Sequence, residues 1–480
     1  MDAQCYSLGY KRVSRHVSPA FFALTRRDCH CRYRLVKMPT PSQPMPRWRF
    51  FLRALERRNY RLFFSGQSLS LIGTWITRIA TSWLVYRLTG SAWMLGFIGF
   101  LGQVPTFILG PFSGVWVDRW SRHGTLVWTQ VLSMLQSFAL AALAFSGHIA
   151  IWQIALLNVV QGVINAFDTP ARQAFLIEMV EDRDILPNAI ALNSTMVNAA
   201  RLIGPATGGL IIAGLGEAWC FTIDGISYCA VILSLMLMTV AASAPRRREE
   251  ENLWRELMEG FRYVSGSAPI RAILLLLAVV SLVGTPYSVL LPIFASHILH
   301  GGAHTLGLLM ASTGVGALVA ALNMAARRSV LGLGRRIGFV AILFGGGIVV
   351  FSLSTNLVLS VVMLFVTGFA MMQHMAASNT ILQTIADPDK RGRVMSYYTM
   401  AFMGMTPFGS LLGGAMAARF GAPYALAING FICAAAGAVY FFFLPTIRRA
   451  LRPIYIELGI LPGIAEAADP TTFAPGNPPQ

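Results

Sequence analysis

Twelve apolar windows, each about 20 residues long, constrain the fold of this 480-residue chain more than any other feature. A helix of that length crosses the hydrocarbon core of a bilayer. Charged residues make up only 12% of the chain, about half their share in an average soluble domain. We therefore predict an all-α membrane protein with twelve transmembrane helices, at Leu62–Leu84, Met94–Val115, Thr125–Phe145, Ile149–Phe167, Ile190–Leu215, Ala218–Ala241, Ala272–Ala295, Leu306–Ala326, Ile337–Leu353, Leu357–Ala377, Val394–Ala417 and Ala422–Leu444.

The positions of Lys and Arg predict the orientation in the membrane, because cytoplasmic loops carry an excess of these residues. With the N-terminus inside, all but four of the 38 Lys and Arg residues fall in cytoplasmic segments, the four being Arg78, Arg87, Arg201 and Arg419. We expect a multi-pass protein of a bacterial cytoplasmic (inner) membrane with both termini in the cytoplasm. The net charge of +17 then serves contacts with anionic membrane lipids, and no nucleic-acid partner is expected.

A polar segment divides the twelve windows into two sets of six. Within this segment Leu253, Leu257 and Phe261 recur at helical spacing, which is typical of an amphipathic helix that lies on a membrane face. Two six-helix repeats joined by a cytoplasmic linker are the architecture of a secondary transporter that binds its substrate between the halves. The predicted segments are a disordered basic cytoplasmic tail (1–45), an N-terminal six-helix bundle (46–241), the linker (242–271), a pseudo-symmetric C-terminal six-helix bundle (272–445) and a flexible cytoplasmic tail (446–480).

Polar residues recur at steps of three or four along three windows, so each set occupies one face of a helix. Such a face avoids lipid and lines a cavity or meets a polar partner. The residues predicted to line a substrate cavity are Gln67, Thr74 and Arg78 in the first window, Asn158, Gln161 and Asn165 in the fourth, Asn198 and Arg201 in the fifth, and Gln373 in the tenth.

Arg78 and Arg201 lie inside predicted membrane helices, where a charge costs about 2.5–3.5 kcal/mol. Each therefore binds an anionic or carbonyl-rich substrate, exchanges partners during a transport cycle, or holds a permanent structural partner. For Arg78 these readings are equally open. For Arg201 the sequence favours a permanent structural partner, either an ion pair or a helix-end carbonyl contact, since it belongs to a packing motif and Asp168 or Glu178 could reach it.

The loop between the second and third windows reads Gly114-Val-Trp-Val-Asp118-Arg119-Trp-Ser-Arg122. It resembles the signature loop of the major facilitator superfamily. The resemblance implies the major facilitator fold and a cytoplasmic gate in which Gly114 lets the helix ends approach and Asp118, Arg119 and Arg122 form a charge latch. Surface ion pairs suit a latch that opens and closes, because each pair is weak and exchanges its partners easily.

The fifth window contains Arg201-Leu-Ile-Gly204-Pro205-Ala-Thr-Gly208-Gly209, which resembles the antiporter signature of the same superfamily. Small residues there permit tight helix contact. Further segments, such as Ala166-Phe-Asp168-Thr-Pro170-Ala-Arg172 and Arg391-Gly-Arg393-Val-Met-Ser396, look like the enterobactin-exporter branch, which includes macrolide-efflux-like proteins. This resemblance covers roughly residues 48–445 and implies efflux of a siderophore or drug by an antiporter.

The same resemblance implies coupling to protons, for which the titratable candidates are Asp168, Asp224 and His374, with Asp168 first. Histidine titrates near neutral pH, so His374 could carry a proton, or it could be a neutral hydrogen-bonded residue. The predicted function is secondary active export of a small amphipathic molecule by alternating access in exchange for protons.

Two other functions stay open from the sequence: import of a small anionic solute, and a membrane sensor or scaffold that transports nothing. Catalysis lacks candidate residues, because the windows hold no metal-ligand cluster and no paired-carboxylate site. We expect a monomer that is not an enzyme and that binds no cofactor and no metal.

Overall fold

The computed structural model describes residues 53–180, 184–239, 253–327 and 329–460, apart from a few side chains within these ranges, including that of Asp118. Three predicted segments lie wholly or partly outside the described part. They are the N-terminal tail, the linker up to residue 252 and the last twenty residues of the C-terminal tail. The described residues form helices and no strand.

Seven helices form the first half of the chain. After a short 3-10 turn at Arg53–Glu56 come α1 (Arg58–Thr89), α2 (Ala92–Leu101), α3 (Val104–Arg119), α4 (Arg122–Phe145), α5 (Ile151–Val180), α6 (Leu186–Leu215) and α7 (Glu217–Met236). The second predicted window is divided at Gly102 and Gln103, so that α2 and α3 share it.

A linker helix and eight further helices follow. They are α8 (Leu253–Gly266), α9 (Ala268–Val279), α10 (Tyr287–Ile293), α11 (Ala303–Ala325), α12 (Leu333–Leu353), α13 (Leu357–Ile385), α14 (Arg391–Thr399), α15 (Met405–Phe420) and α16 (Ala422–Glu457). Three π-helical turns, Val280–Gly284, Phe294–Ile298 and Met400–Gly404, interrupt the seventh and eleventh windows. Each of the twelve windows coincides with one or two helices.

Nine helical stretches of the described residues are long and apolar enough to cross a membrane. Helices α1 and α5 are not among them, although both are about 30 residues long. They carry the polar stripes predicted from the sequence, including Arg78 and Asp168, and these residues lower their mean hydropathy. The all-helical membrane fold is confirmed, while the count of twelve spans is met by this criterion only in part.

The last helix corrects a predicted boundary. The sequence places the end of the C-terminal bundle at residue 445, but α16 continues through Pro445 and Pro453 to Glu457. Ile447, Leu451 and Tyr455 recur every four residues, and each is buried. This apolar stripe anchors the last turns against the protein, which offsets the cost of proline inside a helix.

The linker helix α8 forms as predicted, and one of its faces packs against the start of α14. Glu259 pairs with Arg393 at 2.9 Å, and the ammonium of Lys390 lies 5.0 Å from the ring centroid of Tyr263. Met258 and Phe261 remain exposed. The helix is therefore joined to the second half of the chain by polar contacts.

The two halves meet most closely at one end of the bundle. We call the end at which α1 stops and α2 begins the distal end, and the end at which α3 stops and α4 begins the proximal end. Near the distal end α6 packs on α11, and α2 packs on α15. A Cβ built on Gly209 would lie 2.9 Å from the Cα of Gly307, so only glycine allows this backbone approach.

Candidate substrate-binding site

Two arginines from different helices share one tryptophan in the interior of the first half. The guanidinium carbon of Arg78 lies 5.0 Å from the ring centroid of Trp75, and that of Arg201 lies 5.3 Å from the same centroid. A Cβ on Gly204 would lie 2.4 Å from the Cβ of Trp75, so the glycine lets α6 approach α1 at this point. Both arginines are therefore within cation–π range of one indole.

Neither arginine forms an ion pair with an acid in the described residues. The expected pairing of Arg201 with Asp168 or Glu178 is wrong, because Asp168 pairs with Arg172 at 3.1 Å and Glu178 pairs with Arg122 at 2.5 Å. The Nε of Arg201 is buried without a hydrogen-bond partner. Arg172 lies four residues after Asp168 and therefore on the same face of α5, which explains why Asp168 pairs with it instead of Arg201.

The two positive charges repel each other. Since each guanidinium lies about 5 Å from one centroid, the charges are at most about 10 Å apart, where the repulsion is about 1.7 kcal/mol at an effective dielectric of about 20. The ring quadrupole of Trp75 compensates part of this energy. An anion placed between the guanidinium groups would compensate the rest.

A residue of the second half completes this cluster. Tyr287, the first residue of α10, lies within electrostatic range of Arg201. Its ring packs edge to face on Phe344, with centroids 6.2 Å apart. The cluster of Trp75, Arg78, Arg201 and Tyr287 thus draws on both halves, and we call it the arginine cluster.

The predicted cavity residues fall into three groups by exposure. Thr74, Arg78 and Asn165 are exposed, and Asn158, Gln161 and Arg201 are half-buried. Gln67, Asn198 and Gln373 are buried and do not line an open cavity in this structure, contrary to the prediction. Gln373 instead donates to the carbonyl of Ala320 and to Oδ1 of Asn323, and so joins α13 to α11.

Sequence reasoning missed a polar face on the third span. Six polar residues of α4 are buried against α5 and α7, and their spacing of three and four within the apolar window was the available signal. They are Thr125, Thr129, Gln130, Ser133, Gln136 and Ser137.

This face of α4 holds two buried carboxylates in different ways. Asp168 accepts hydrogen bonds from Thr129 at 3.0 Å and Gln130 at 2.7 Å, in addition to its ion pair with Arg172. Asp224 accepts one hydrogen bond, from Ser137 at 2.9 Å, and its Oδ1 is buried without a partner. None of the ion pairs in the described part of the chain includes Asp224.

Asp224 lies against α1, near Gly73. A Cβ on Gly73 would lie 2.7 Å from Oδ1 of Asp224, and the hydroxyl of Tyr228, one turn along α7, lies 3.3 Å from Oγ1 of Thr74. Thr74 is exposed, so its hydroxyl and that of Tyr228 lie between the exposed face of α1 and the surroundings of the carboxylate. His374 is fully buried, and neither of its ring nitrogens has a hydrogen-bond partner.

The predicted gate residues lie at the proximal end. Arg122 pairs with Glu178, and Gly114, Asp118 and Arg119 lie on the last turns of α3. A Cβ on Gly114 would meet no atom within 4 Å, so the close approach of helix ends expected at this glycine is absent here. Gly114 thus faces open space at the proximal end, while Gly209 and Gly307 bring the halves together near the distal end.

The small residues of the fifth span serve close packing. Gly204 contacts Trp75, Gly208 contacts Ile76 and Ile79, and Gly209 contacts the second half at Gly307. Pro205 is buried within α6. The signature motif thus brings α6 against both α1 and α11, which places Arg201 between the two halves.

Comparison with known proteins identifies the family. A family model described as a transmembrane secretion effector matches residues 52–454. The chain is 27% identical to the staphyloferrin A transporter of Staphylococcus aureus over 387 residues, which cover 80% of this chain and 95% of the relative. It is 27% identical to the multidrug efflux pump Tap of Mycolicibacterium fortuitum (72% and 86% covered) and 25% identical to the enterobactin exporter EntS of Escherichia coli (81% and 92%).

Solved structures show the same fold. A bacterial homologue of the human lysosomal transporter Spinster, in an inward-facing and unoccupied conformation, superposes with a TM-score of 0.61 at 16% identity, covering 85% of this chain and 99% of that one. The nucleoside transporter NupG superposes with a TM-score of 0.63 at 13% identity, covering 82% and 98%. The chain therefore belongs to the transmembrane secretion effector family of the major facilitator superfamily and is a multi-pass membrane transporter, not an enzyme.

Proposed function

We propose that this chain exports a small amphipathic molecule, a siderophore or a drug, from the bacterial cytoplasm by alternating access in exchange for protons. The observation that supports alternating access is the close backbone contact between the halves near the distal end, which has no counterpart at Gly114. Gly209 meets Gly307 near the distal end, whereas Gly114 at the proximal end faces open space. With both termini in the cytoplasm, as the Lys and Arg distribution predicts, this state opens inward.

The direction of transport rests on the relatives. The enterobactin exporter and the multidrug efflux pump are each named for outward transport. The antiporter-like motif of α6 is compatible with that direction, and its contacts here are those of tight packing. A sensor or scaffold role finds less support, because the similarity extends over most of the membrane domain rather than over the tails.

We assign proton coupling to Asp224 in preference to Asp168 and His374. An ionised carboxylate that is buried without a cation costs several kcal/mol, so its charge depends on its surroundings during the cycle. Asp168 already has Arg172, Thr129 and Gln130 as partners, which supports a structural role. His374 is enclosed in the second half, whereas Asp224 adjoins α1, a helix predicted to line the cavity.

The alternative function, import of a small anionic solute, is favoured by one observation. Arg78 and Arg201 are cations without acidic partners in the described residues, and Arg78 is exposed. An exporter of an anionic molecule would need the same arrangement. The two functions differ in direction and in the sign of the accompanying proton movement.

The test uses inside-out membrane vesicles that contain the full chain and a trapped pH-sensitive dye. Staphyloferrin A, enterobactin or a macrolide is added outside, on the face that was cytoplasmic. Antiport moves protons out as the substrate enters, so the vesicle interior becomes alkaline. Proton symport, as in an importer, makes the interior acidic.

Two acid variants on the same helix test the coupling residue. Asp224→Asn should abolish the proton signal while substrate-for-substrate exchange continues. Glu217→Gln is the matched control, because Glu217 lies on α7 at the distal end, paired with Arg87, and the proton signal should persist. Acidification of the vesicle interior would show import rather than export. An unchanged proton signal in Asp224→Asn would show that Asp224 does not take part in proton coupling.

A further inference from the structure

The arginine cluster has the features of a built anion site. Two guanidinium carbons lie 5.0 and 5.3 Å from the centroid of one indole, no acid of the described residues pairs with either, and Nε of Arg201 is a buried donor without an acceptor. A buried donor normally finds an acceptor in the protein or a ligand. We propose that the transported molecule carries at least one carboxylate, and that this carboxylate binds between Arg78 and Arg201 during transport.

The geometry favours a carboxylate over an uncharged carbonyl group. Guanidinium donors match the two oxygens of a carboxylate, and these charge-assisted hydrogen bonds are about twice as strong as neutral ones. An uncharged ligand would leave two positive charges facing each other inside the membrane. The carboxylate neutralises one of them and gives both arginines an acceptor.

The apolar part of the ligand has a surface to contact as well. Trp75, from the first half of the chain, lies 5.3 Å from the guanidinium of Arg201, and Tyr287, from the second half, is within electrostatic range of the same arginine. The expected ligand is therefore an amphipathic acid, with its carboxylate at the arginines and a ring or chain along these aromatic groups. Because Tyr287 belongs to the second half, movement between the halves changes the site.

This inference rests on the proposed function for the direction of movement, and its test is independent of transport. Binding is measured on the purified full chain in phosphatidylcholine nanodiscs by calorimetry. The probe is phthalate, a planar dicarboxylate, and the uncharged comparison is phthalamide. We expect phthalate to bind and phthalamide to bind at least tenfold more weakly.

Variants assign the binding to the cluster. Arg78→Gln and Arg201→Gln should each weaken phthalate binding by about 10- to 100-fold, the range for a lost charged hydrogen bond. Arg78→Lys and Arg201→Lys retain the positive charge but not the planar guanidinium, so they should lose less phthalate affinity than the glutamine variants. Arg87→Gln, on the same helix but paired with Glu217, should bind as the unchanged protein does. The unfolding temperature without ligand identifies any variant that fails to fold. If a glutamine variant does not fold, the affinity of the matching lysine variant for phthalate tests the assignment instead.

Three results would overturn the inference. Equal binding of phthalate and phthalamide would remove the role of charge. Unchanged phthalate affinity in both glutamine variants would place the site elsewhere. Loss of phthalate binding when phosphatidylglycerol is added to the nanodiscs, together with retention of that lipid by the wild type and not by Arg78→Gln, would make the occupant a lipid headgroup. Binding through the arginines without any proton signal in vesicles would instead contradict the proposed function and leave this inference standing.

Discussion

Gly96 of α2 and Gly414 of α15 cross so closely that a Cβ on either residue would lie 2.8 Å from the Cα of the other. Together with Gly209 and Gly307, they form two backbone crossings between the halves, both near the distal end. Side chains at these positions would force the helices apart, because close-packed interiors cannot absorb an added group without displacement. The crossings therefore define the end of the bundle that must separate if transport alternates.

Replacing Gly414 by leucine should disrupt this closed state. The added side chain would collide with the backbone of α2, so we expect the distal end to stay open and transport to fall at least tenfold. The matched control is Gly110→Leu, since a Cβ on Gly110 meets nothing within 4 Å. Cross-linking yield between cysteines placed on α2 and α15 measures the separation. Equal cross-linking in the two leucine variants would show that the crossing is not required for closure.

The two buried acids of the first half should respond differently to neutral substitution. Asp168→Asn keeps the side-chain shape but removes the charge that Arg172 pairs with, so the free energy of unfolding should fall by about 1.5–3 kcal/mol. The substrate-driven proton signal should persist. Denaturation in detergent and the vesicle dye measure the two effects. Loss of the proton signal in Asp168→Asn, with retention in Asp224→Asn, would exchange the roles assigned to these residues.

The proximal latch gives a third prediction. Asp118→Ala should cut transport with little loss of membrane insertion, because the side chain belongs to the signature-like loop that precedes Arg122. Glu178→Gln should act in the same direction by breaking the 2.5 Å pair with Arg122. Arg87→Gln is the control, since its ion pair with Glu217 lies at the distal end, away from the latch residues. Normal transport by Asp118→Ala would show that the latch assignment is wrong.

Trp75 should contribute to the arginine cluster through its ring rather than its size. Trp75→Ala removes a cation–π contact worth about 0.5–2 kcal/mol to each guanidinium, so phthalate affinity should fall. Trp75→Phe keeps a weaker aromatic face and should fall less. Calorimetry on the nanodisc-bound variants tests this order. Phthalate affinity that is the same in Trp75→Ala and Trp75→Phe would exclude a role for the ring.

The sequence predicted the helices well because length and apolar content alone decide whether a segment can span a bilayer. It did not predict the interruptions at Gly102 or at the π-helical turns, which leave hydropathy unchanged. It also placed the end of the C-terminal bundle at residue 445, whereas the buried stripe of Ile447, Leu451 and Tyr455 accompanies a helix that continues to Glu457.

The candidate site was predictable in its residue types and not in its pairings. Spacing along α1 and α6 singled out Arg78 and Arg201, because a charge inside a membrane helix is expensive. Their common neighbour Trp75 lies off the polar stripe and carried no signal. The partner of Asp168 proved to be Arg172, four residues away on the same helix. Gln373 pairs with Asn323 across helices, which spacing on a single helix cannot reveal.

The most direct test of alternating access measures distances at both ends of the bundle in one preparation. Spin labels replace the exposed residues Trp93 and Arg419 at the distal end, or Trp120 and Gln383 at the proximal end, in a chain whose own six cysteines are substituted. Pulsed electron paramagnetic resonance then follows each pair as a proton gradient and substrate are supplied in liposomes. We predict that the distal distance lengthens as the proximal distance shortens. Distances that stay fixed, or that change together at both ends, would contradict the account.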